Sequence, residues 1–375
     1  MAERDKINGS LSGRSFRTSI TLCVTLLLAT TTYLLVTNKP FNQHDQQSFS
    51  IRHRQLEQQN AETKRPGSNK SPAVVVLSSN NDEDLAELCL AMKSLLFLRG
   101  GHTREWIRSP VLVFNEGDLT AEQMQKVSVC TSRPVAFPVV NLLSFPNGFD
   151  PDKEWETFSA WSPFRPVRDR DRWSYAQMIR FWTTLIWNHP AIQQYNVLMR
   201  IDTDSCFLWQ RDGNLNHQYK MAPGLEGRYV YQSNYENYVG GDTHYIEGLF
   251  DFAVKYMEAN NLKPQNPTLW GIIRRTWEEQ RNLPVFQTNF EITRVSFFQR
   301  ADVRKWNEAL AERPPYGIFR KRWGDAQFRV LTVAMFAKEE NLLLSKSTGY
   351  LHGRGRCARN FISEIHDRLR TKGTW

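Results

Sequence analysis

A chain of 375 residues with 41% apolar side chains is long enough to bury a large core, and its length leaves room for two or three domains. Its formal net charge of +9 invites a nucleic-acid reading. No segment joins a basic run to a nucleic-acid-binding motif, so that class is set aside; affinity for an anionic membrane or a nucleotide diphosphate accounts for the excess.

Residues 1–17 form a short basic tail with Arg4, Lys6, Arg14 and Arg17. Residues 18–37 carry no charge over twenty positions, about the length that crosses a bilayer as a helix. With only Lys39 following closely, the positive-inside rule keeps the tail cytosolic and sends the bulk of the chain to the other side. A cleaved signal peptide is the competing reading, but the run is long for one and no small-x-small site closes it. Residues 38–72 are polar and rich in Gln and Asn, which predicts a flexible stem. Within it Asn69-Lys70-Ser71 is a glycosylation sequon, disfavoured by Pro72 directly after it. Cys89, Cys130, Cys206 and Cys357 then lie in an oxidising lumen, where they allow two disulfides in three pairings.

Residues 73–375 read as one catalytic domain. Ala73–Ser78 is a continuous β-branched run, the pattern of a strand buried on both faces. The spacing of Leu85, Leu88, Cys89, Met92, Leu95 and Leu96 predicts a helix over 82–97, capped by Asn81 or Asp82. A second strand spans 110–115, a helix capped by Thr120 with Glu122 and Gln123 behind it follows, and a third, edge-like strand covers 134–140. This alternation predicts a parallel sheet with crossover helices. A helix over 175–187 leads directly into a short apolar strand over 197–201.

That strand stops in Asp202-Thr203-Asp204. Open α/β sheets bind ligands at the C-terminal edge of their strands. Residues i and i+2 share a face about 7 Å apart, so both carboxylates can point into one crevice. Facing a diphosphate, they suit Mg²⁺ or Mn²⁺ that takes phosphate oxygens as further ligands. The chemistry this implies is transfer from a nucleotide-activated donor, although Asp-x-Asp is also common in surface turns.

Five blocks in order carry a family resemblance: Ser174–Phe181, Arg200–Asp204, Asn289–Ile292, Arg322–Ala326 and Gly349–His352. Over residues 73–357 the chain resembles the fungal Golgi α-1,2-mannosyltransferases of glycosyltransferase family 15. The resemblance implies a type II membrane protein of the Golgi with a GT-A-like α/β domain, one half of it a Rossmann-like nucleotide-binding unit. It also implies GDP-mannose as donor, Mn²⁺ as cofactor, a mannose-terminated glycan of a glycoprotein or glycolipid as acceptor, and retention of anomeric configuration.

Carried over by position, the resemblance makes His352 a Mn²⁺ ligand beside Asp202 and Asp204, and imidazole suits that borderline ion. It places Glu291 near the anomeric carbon, where the carboxylate either attacks or stabilises positive charge at the sugar. A structural acid paired with an arginine such as Arg294 is the alternative. Tyr175 is assigned to the active site and Glu236 to the acceptor, the latter across a gap. Arg180, on the helix before the Asp pair, is read as a nucleotide-sugar contact, with a helix-dipole partner as its alternative. From the residues themselves, Arg354 and Arg356 between glycines read as a bidentate phosphate clamp or else a solvated basic loop. Arg322, Trp323 and Asp325 have a sugar-binding look, with a docked helix start capped by Asp325 as the plainer reading.

The chain departs from the family in three places. The strand end is Asp-Thr-Asp where the family writes Glu-Pro-Asp, a basic insert runs over Arg165–Arg172, and Gly240–His244 interrupts a loosely matching segment. These differences leave the acceptor and the linkage open. Two rival functions remain: transfer from another nucleotide sugar, and a membrane-anchored mannose-binding protein without catalysis.

Overall fold

A computed structural model describes residues 71–95, 109–161, 173–207, 230–239, 243–345 and 350–359. These fall within one compact unit, Lys70–Trp375. The tail, the apolar run 18–37, nearly all of the stem with its sequon Asn69, and the 165–172 insert lie outside the described residues. Among the described residues no helix is long and apolar enough to cross a membrane.

The first half follows the alternation read from the sequence. Strand β1 is Pro72–Leu77, helix α1 Asp82–Ser94, strand β2 Val111–Phe114, helix α2 Ala121–Ser128 and strand β3 Val135–Ala136. Asn81 caps α1 by accepting the Asp84 N–H. At α2 the Thr120 hydroxyl and the Gln123 amide satisfy each other's backbone N–H groups in a full capping box. Strand β3 is shorter than the run 134–140 promised, because Pro134 and Pro138 supply no N–H to a ladder. Only an isolated bridge, Asn115 to Val139, continues the pairing.

Helix α3 (Pro151–Trp161) precedes α4 (Ser174–Arg180), which continues through a π turn over Phe181–Leu185 and a last helical turn over Ile186–Asn188. Strand β4 (Val197–Ile201) follows, then β5 (Ser205–Phe207), β6 (Tyr231–Val239), α5 (Leu249–Ala259), α6 (Pro267–Gln280) and β7 (Pro284–Arg294). The chain continues through α7 (Ala301–Ala311), α8 (Gly317–Arg320), α9 (Asp325–Phe336), β8 (Leu342–Ser345) and β9 (Tyr350–His352).

The main sheet has the order β3-β2-β1-β4-β7-β6-β8, and β5 pairs with β9 in a separate ladder. Strands β3, β2, β1 and β4 are parallel, as expected. The other half adds strands that the sequence reading did not cover: β7 runs antiparallel to β4, β6 antiparallel to β7, and β8 parallel to β6. The sheet is therefore mixed, with β4 at its turning point.

Side-chain alternation gives the sheet two buried faces. Val74, Val76, Val111, Val113 and Met199 pack with Leu88 and Met92 of α1. Ala73, Val75, Leu112 and Leu198 pack on the opposite face with Phe181, Trp182 and the helix α9 residues Phe328 and Leu331. Of the three possible cysteine pairings the fold makes Cys89–Cys130, joining α1 to the end of α2, and Cys206–Cys357, joining β5 to the residues after β9.

Candidate active site

Asp202 follows β4 at the C-terminal edge of the parallel strands, beside the ends of β1 and β2. The chain turns at Thr203 and Asp204 and enters β5, whose Ser205 sits opposite His352 of β9. The Gly353 N–H donates to Asp204 O at 3.1 Å, and the Cys206–Cys357 disulfide fastens the two strands just beyond. His352 Nε2 consequently lies 3.3 Å from Asp204 Oδ1 and 3.8 Å from Asp202 Oδ2.

One ligand atom from each of these three residues lies within 4.8 Å of the others. Ligand atoms on a single ion with bonds of about 2.1 Å can be up to about 4.2 Å apart, so a small inward movement closes the set. Two hard carboxylates and an imidazole fit a borderline divalent ion such as Mn²⁺. The three stand together as the sequence proposed.

The electrostatics of the triad are unequal. The hydrogen bond from His352 holds the Asp204 carboxyl below its usual range. Burial pushes the Asp202 carboxyl up, against the opposing charges of Arg200 and His352. Burial would lower the His352 imidazole, but its hydrogen bond and charge contacts with Asp204, then Asp202, raise it overall.

Behind the triad is a charge network that pattern reading did not find. Arg200 and Glu291 occupy opposite positions on the β4–β7 ladder, so both project from the same face of the sheet. Arg200 donates to Asp202 Oδ1 at 3.3 Å and to Asp325 Oδ2 at 2.9 Å, and lies 3.9 Å from Glu291 Oε1. Arg329 of α9 donates to Glu291 Oε1 at 2.9 Å and to Trp182 O at 3.3 Å. The Trp182 ring lies 4.3 Å from the Arg200 guanidinium, so a single residue of the π turn contacts both arginines. Thr288 donates to Asp325 at 3.0 Å. Burial raises the Asp325 carboxyl, but Arg200 and the Thr288 hydroxyl outweigh it and hold the group below its usual range.

Arg200, Glu291 and Arg329 are all buried. The carboxylates of Asp202, Asp204, Glu291 and Asp325 outnumber the guanidinium groups of Arg200 and Arg329 by two, an imbalance that a dication neutralises. The signal was present in the sequence: an arginine inside the apolar strand 197–201 and another inside the apolar helix 328–336 each require buried partners.

Tyr175 stands at the start of α4 with its side chain 41% exposed. Its ring lies against the protein even though the residue is partly open, and that desolvation, then the charge of Asp325, pushes the phenol above its ordinary value. The Arg322 guanidinium lies 4.6 Å from the Tyr175 ring and 5.0 Å from that of Tyr245. Arg322 holds a left-handed backbone (φ 52°), a strained conformation for a side-chain-bearing residue that recurs at functional sites.

Three expectations are revised. Trp323 has no free face for a sugar, being 2% exposed with its indole N–H given to Glu247 O at 2.8 Å. A Cβ on Gly317 would stand 2.0 Å from its ring, so the glycine allows this close approach. Asp325 is neither a plain cap nor an open sugar contact; it belongs to the buried network through Arg200 and Thr288. Arg180 turns to a structural partner, donating through Nε at 2.7 Å and Nη2 at 2.8 Å to Glu312, and through Nη1 to Ser144 O and Gln177. Arg354 pairs with Glu83 at 3.0 Å and Asp84 at 2.6 Å, which braces its loop against α1. Arg356 is exposed and reaches His352 O at 3.3 Å. Glu236 lies on β6 opposite Val285, and its side chain is outside the described part of the structure.

The family described as glycolipid 2-alpha-mannosyltransferase matches residues 30–366 of this chain. The chain belongs to that family. Among relatives, this family member is 26% identical over 297 residues to the O-glycoside alpha-1,2-mannosyltransferase omh1 of Schizosaccharomyces pombe, covering 78% of this chain and 72% of that protein. It is 25% identical over 178 residues to the probable mannosyltransferase KTR3 of Saccharomyces cerevisiae, covering 48% of this chain and 42% of that protein. Its fold resembles the crystal structure of core-mannan synthase A from Aspergillus fumigatus in its Mn/GDP form, with a TM-score of 0.62 at 21% identity, over 77% of this chain and 76% of that one. The S. cerevisiae mannosyltransferase Ktr4p in complex with GDP matches with a TM-score of 0.60 at 19% identity, over 77% and 75% of the two chains.

Proposed function

We propose that this family member is a retaining α-1,2-mannosyltransferase that moves mannose from GDP-mannose to the 2-hydroxyl of a terminal mannose on a glycoprotein or glycolipid. The observation that carries the reading is the meeting of Asp202, Asp204 and His352 at the C-terminal edge of β4, directly beside the Arg200–Glu291–Asp325 network. Relatives solved with GDP, one of them also with Mn, support the donor and the ion.

Asp202, Asp204 and His352 would hold Mn²⁺, which supplies Lewis acidity that offsets charge on the departing GDP. The protein's own groups divide the remaining work. Arg200 fixes Asp202 and Asp325 relative to one another. Glu291 keeps one oxygen on Arg329, while its Oε2 has no hydrogen-bond partner among the described residues. Glu291 is 1% exposed, so it lies beneath the sugar site, and there its charge rather than direct contact is suited to stabilising positive charge at the anomeric carbon. Tyr175, stacked with Arg322 at the exposed side of the site, positions a sugar ring.

The apolar run 18–37, with basic residues before it, supports a type II anchor and a luminal domain in the Golgi. Protease protection of the domain in sealed vesicles tests that placement. A panel of labelled nucleotide sugars with methyl α-mannoside as acceptor, followed by linkage and anomer analysis, tests the reaction. An α-1,2-linked product from GDP-mannose is the expected outcome. Activity with a UDP-sugar and none with GDP-mannose overturns the donor, and binding of mannose without any turnover overturns catalysis.

A further inference from the structure

The hydroxyl of Tyr350 has a place in the structure that none of the roles above uses. Ser205 Oγ lies 2.7 Å from it, Asn289 O 2.8 Å and Asn289 Oδ1 3.1 Å. A phenol has one proton to give. The consistent arrangement therefore has Ser205 donating to Tyr350 and Tyr350 donating to Asn289 O. That same carbonyl oxygen accepts the backbone N–H of Asp202 at 3.2 Å, so two donors fill its two lone pairs.

Three parts of the site meet at this oxygen. Asp202 ends β4, Asn289 is two residues before Glu291 on β7, and Tyr350 is two residues before His352 on β9. Residues two apart on a strand share a face, so the Tyr350 hydroxyl bond and the His352 imidazole lie on the same side of β9. The rings of Phe290 and Phe207 lie 5.2 and 5.6 Å from the Tyr350 ring between centroids and fix its orientation. Strand β9 itself is three residues long and, among the described residues, pairs only with β5. A ladder of two short strands is marginal on its own. The hydroxyl adds a side-chain link from that ladder to β7 of the main sheet, beside the covalent turn at Thr203 and Asp204 and the Gly353–Asp204 backbone bond.

We propose that Tyr350 is a positioning residue for the divalent cation: through Asn289 O its hydroxyl sets the separation of His352 from Asp202. The inference rests on the reading of Asp202, Asp204 and His352 as a cation site. Groups that orient metal ligands without touching the metal typically change affinity about 10- to 100-fold when removed.

The test uses the full chain, Tyr350→Phe, Ser205→Ala and His352→Ala, with direct Mn²⁺ binding in the presence of GDP followed by electron paramagnetic resonance of the free ion. Tyr350→Phe removes one oxygen and keeps the ring. Its Mn²⁺ Kd is expected to rise about ten-fold. The Mn²⁺ concentration for half-maximal transfer should rise in parallel, with kcat at saturating Mn²⁺ within about two-fold of wild type. Ser205→Ala should shift Kd in the same direction by less. A purely structural tyrosine would lower Tm and leave Kd unchanged, so a wild-type Kd in folded Tyr350→Phe overturns the proposal. If that variant does not fold, a wild-type Kd in Ser205→Ala overturns it. Wild-type affinity in His352→Ala would instead remove the cation site itself; loss there with Tyr350→Phe unchanged would remove only the role of Tyr350.

Discussion

Glu291 sits opposite Arg200 across the β4–β7 ladder and accepts a 2.9 Å hydrogen bond from Arg329, so one acid is shared between two buried arginines. This relationship gives Glu291 a structural role, and removing its charge tests the catalytic role proposed for it. Glu291→Gln retains an acceptor oxygen for Arg329 but removes the charge. Transfer should fall by about 100-fold or more, since charge stabilisation of this kind contributes about 3–4 kcal/mol to a barrier. Unfolding should be easier by about 3 kcal/mol, the scale for breaking a buried ion pair. Binding of GDP with Mn²⁺ should persist. Steady-state kinetics, thermal unfolding and a GDP titration separate the three effects; unchanged kcat with lowered stability would leave Glu291 a purely structural acid.

The triad predicts metal dependence. Chelation should abolish transfer by the wild type, and Mn²⁺ should restore it. Asp204→Ala and His352→Ala should each lower activity at limiting Mn²⁺ by about 100-fold or more, because a direct ligand matters at least as much as a supporting group. Activity in the chelated enzyme, measured against a Mn²⁺ titration, checks this.

Arg180 should matter for stability and not for the donor. Its guanidinium is engaged with Glu312, Ser144 and Gln177. Arg180→Met leaves the partly exposed Glu312 without its main partner, which should cost about 2–3 kcal/mol after allowance for solvent. The KM for GDP-mannose should stay within about two-fold of wild type. A large rise in that KM at unchanged stability would return Arg180 to the donor site.

Trp323 leads to a matching prediction for the acceptor. Trp323→Phe loses the hydrogen bond to Glu247 O while filling most of the same volume. Stability should fall by about 1–2 kcal/mol, and the KM for methyl α-mannoside should not move. A changed acceptor KM in the folded variant would show that the indole faces sugar after all.

Much of the first half of the domain was legible because its signals are local. The β-branched run at 73–78, the caps at Asn81 and Thr120, and the Asp-Thr-Asp strand end each report on a few neighbouring residues. The entry of β7 was not legible, since nothing near 284–294 specifies that it joins the sheet beside β4 in the opposite direction. The same gap hid Arg200 and Arg329. Each looked like an isolated charge in an apolar run, and their partners Asp325 and Glu291 lie far along the chain.

The sequence by itself determined the alternation of strands and helices between 73 and 201, that carboxylates end β4, and that the family blocks occur in order. Side-chain period, capping chemistry and hydrophobic burial all act over a few residues, which is why they can be read in one dimension. Only the tertiary structure decided that Cys206 pairs with Cys357, that β9 returns to set His352 beside Asp202 and Asp204, and that Arg180, Arg354 and Trp323 turn to protein partners. Those outcomes depend on which distant groups come within hydrogen-bond and Coulomb reach, and chain topology sets that distance.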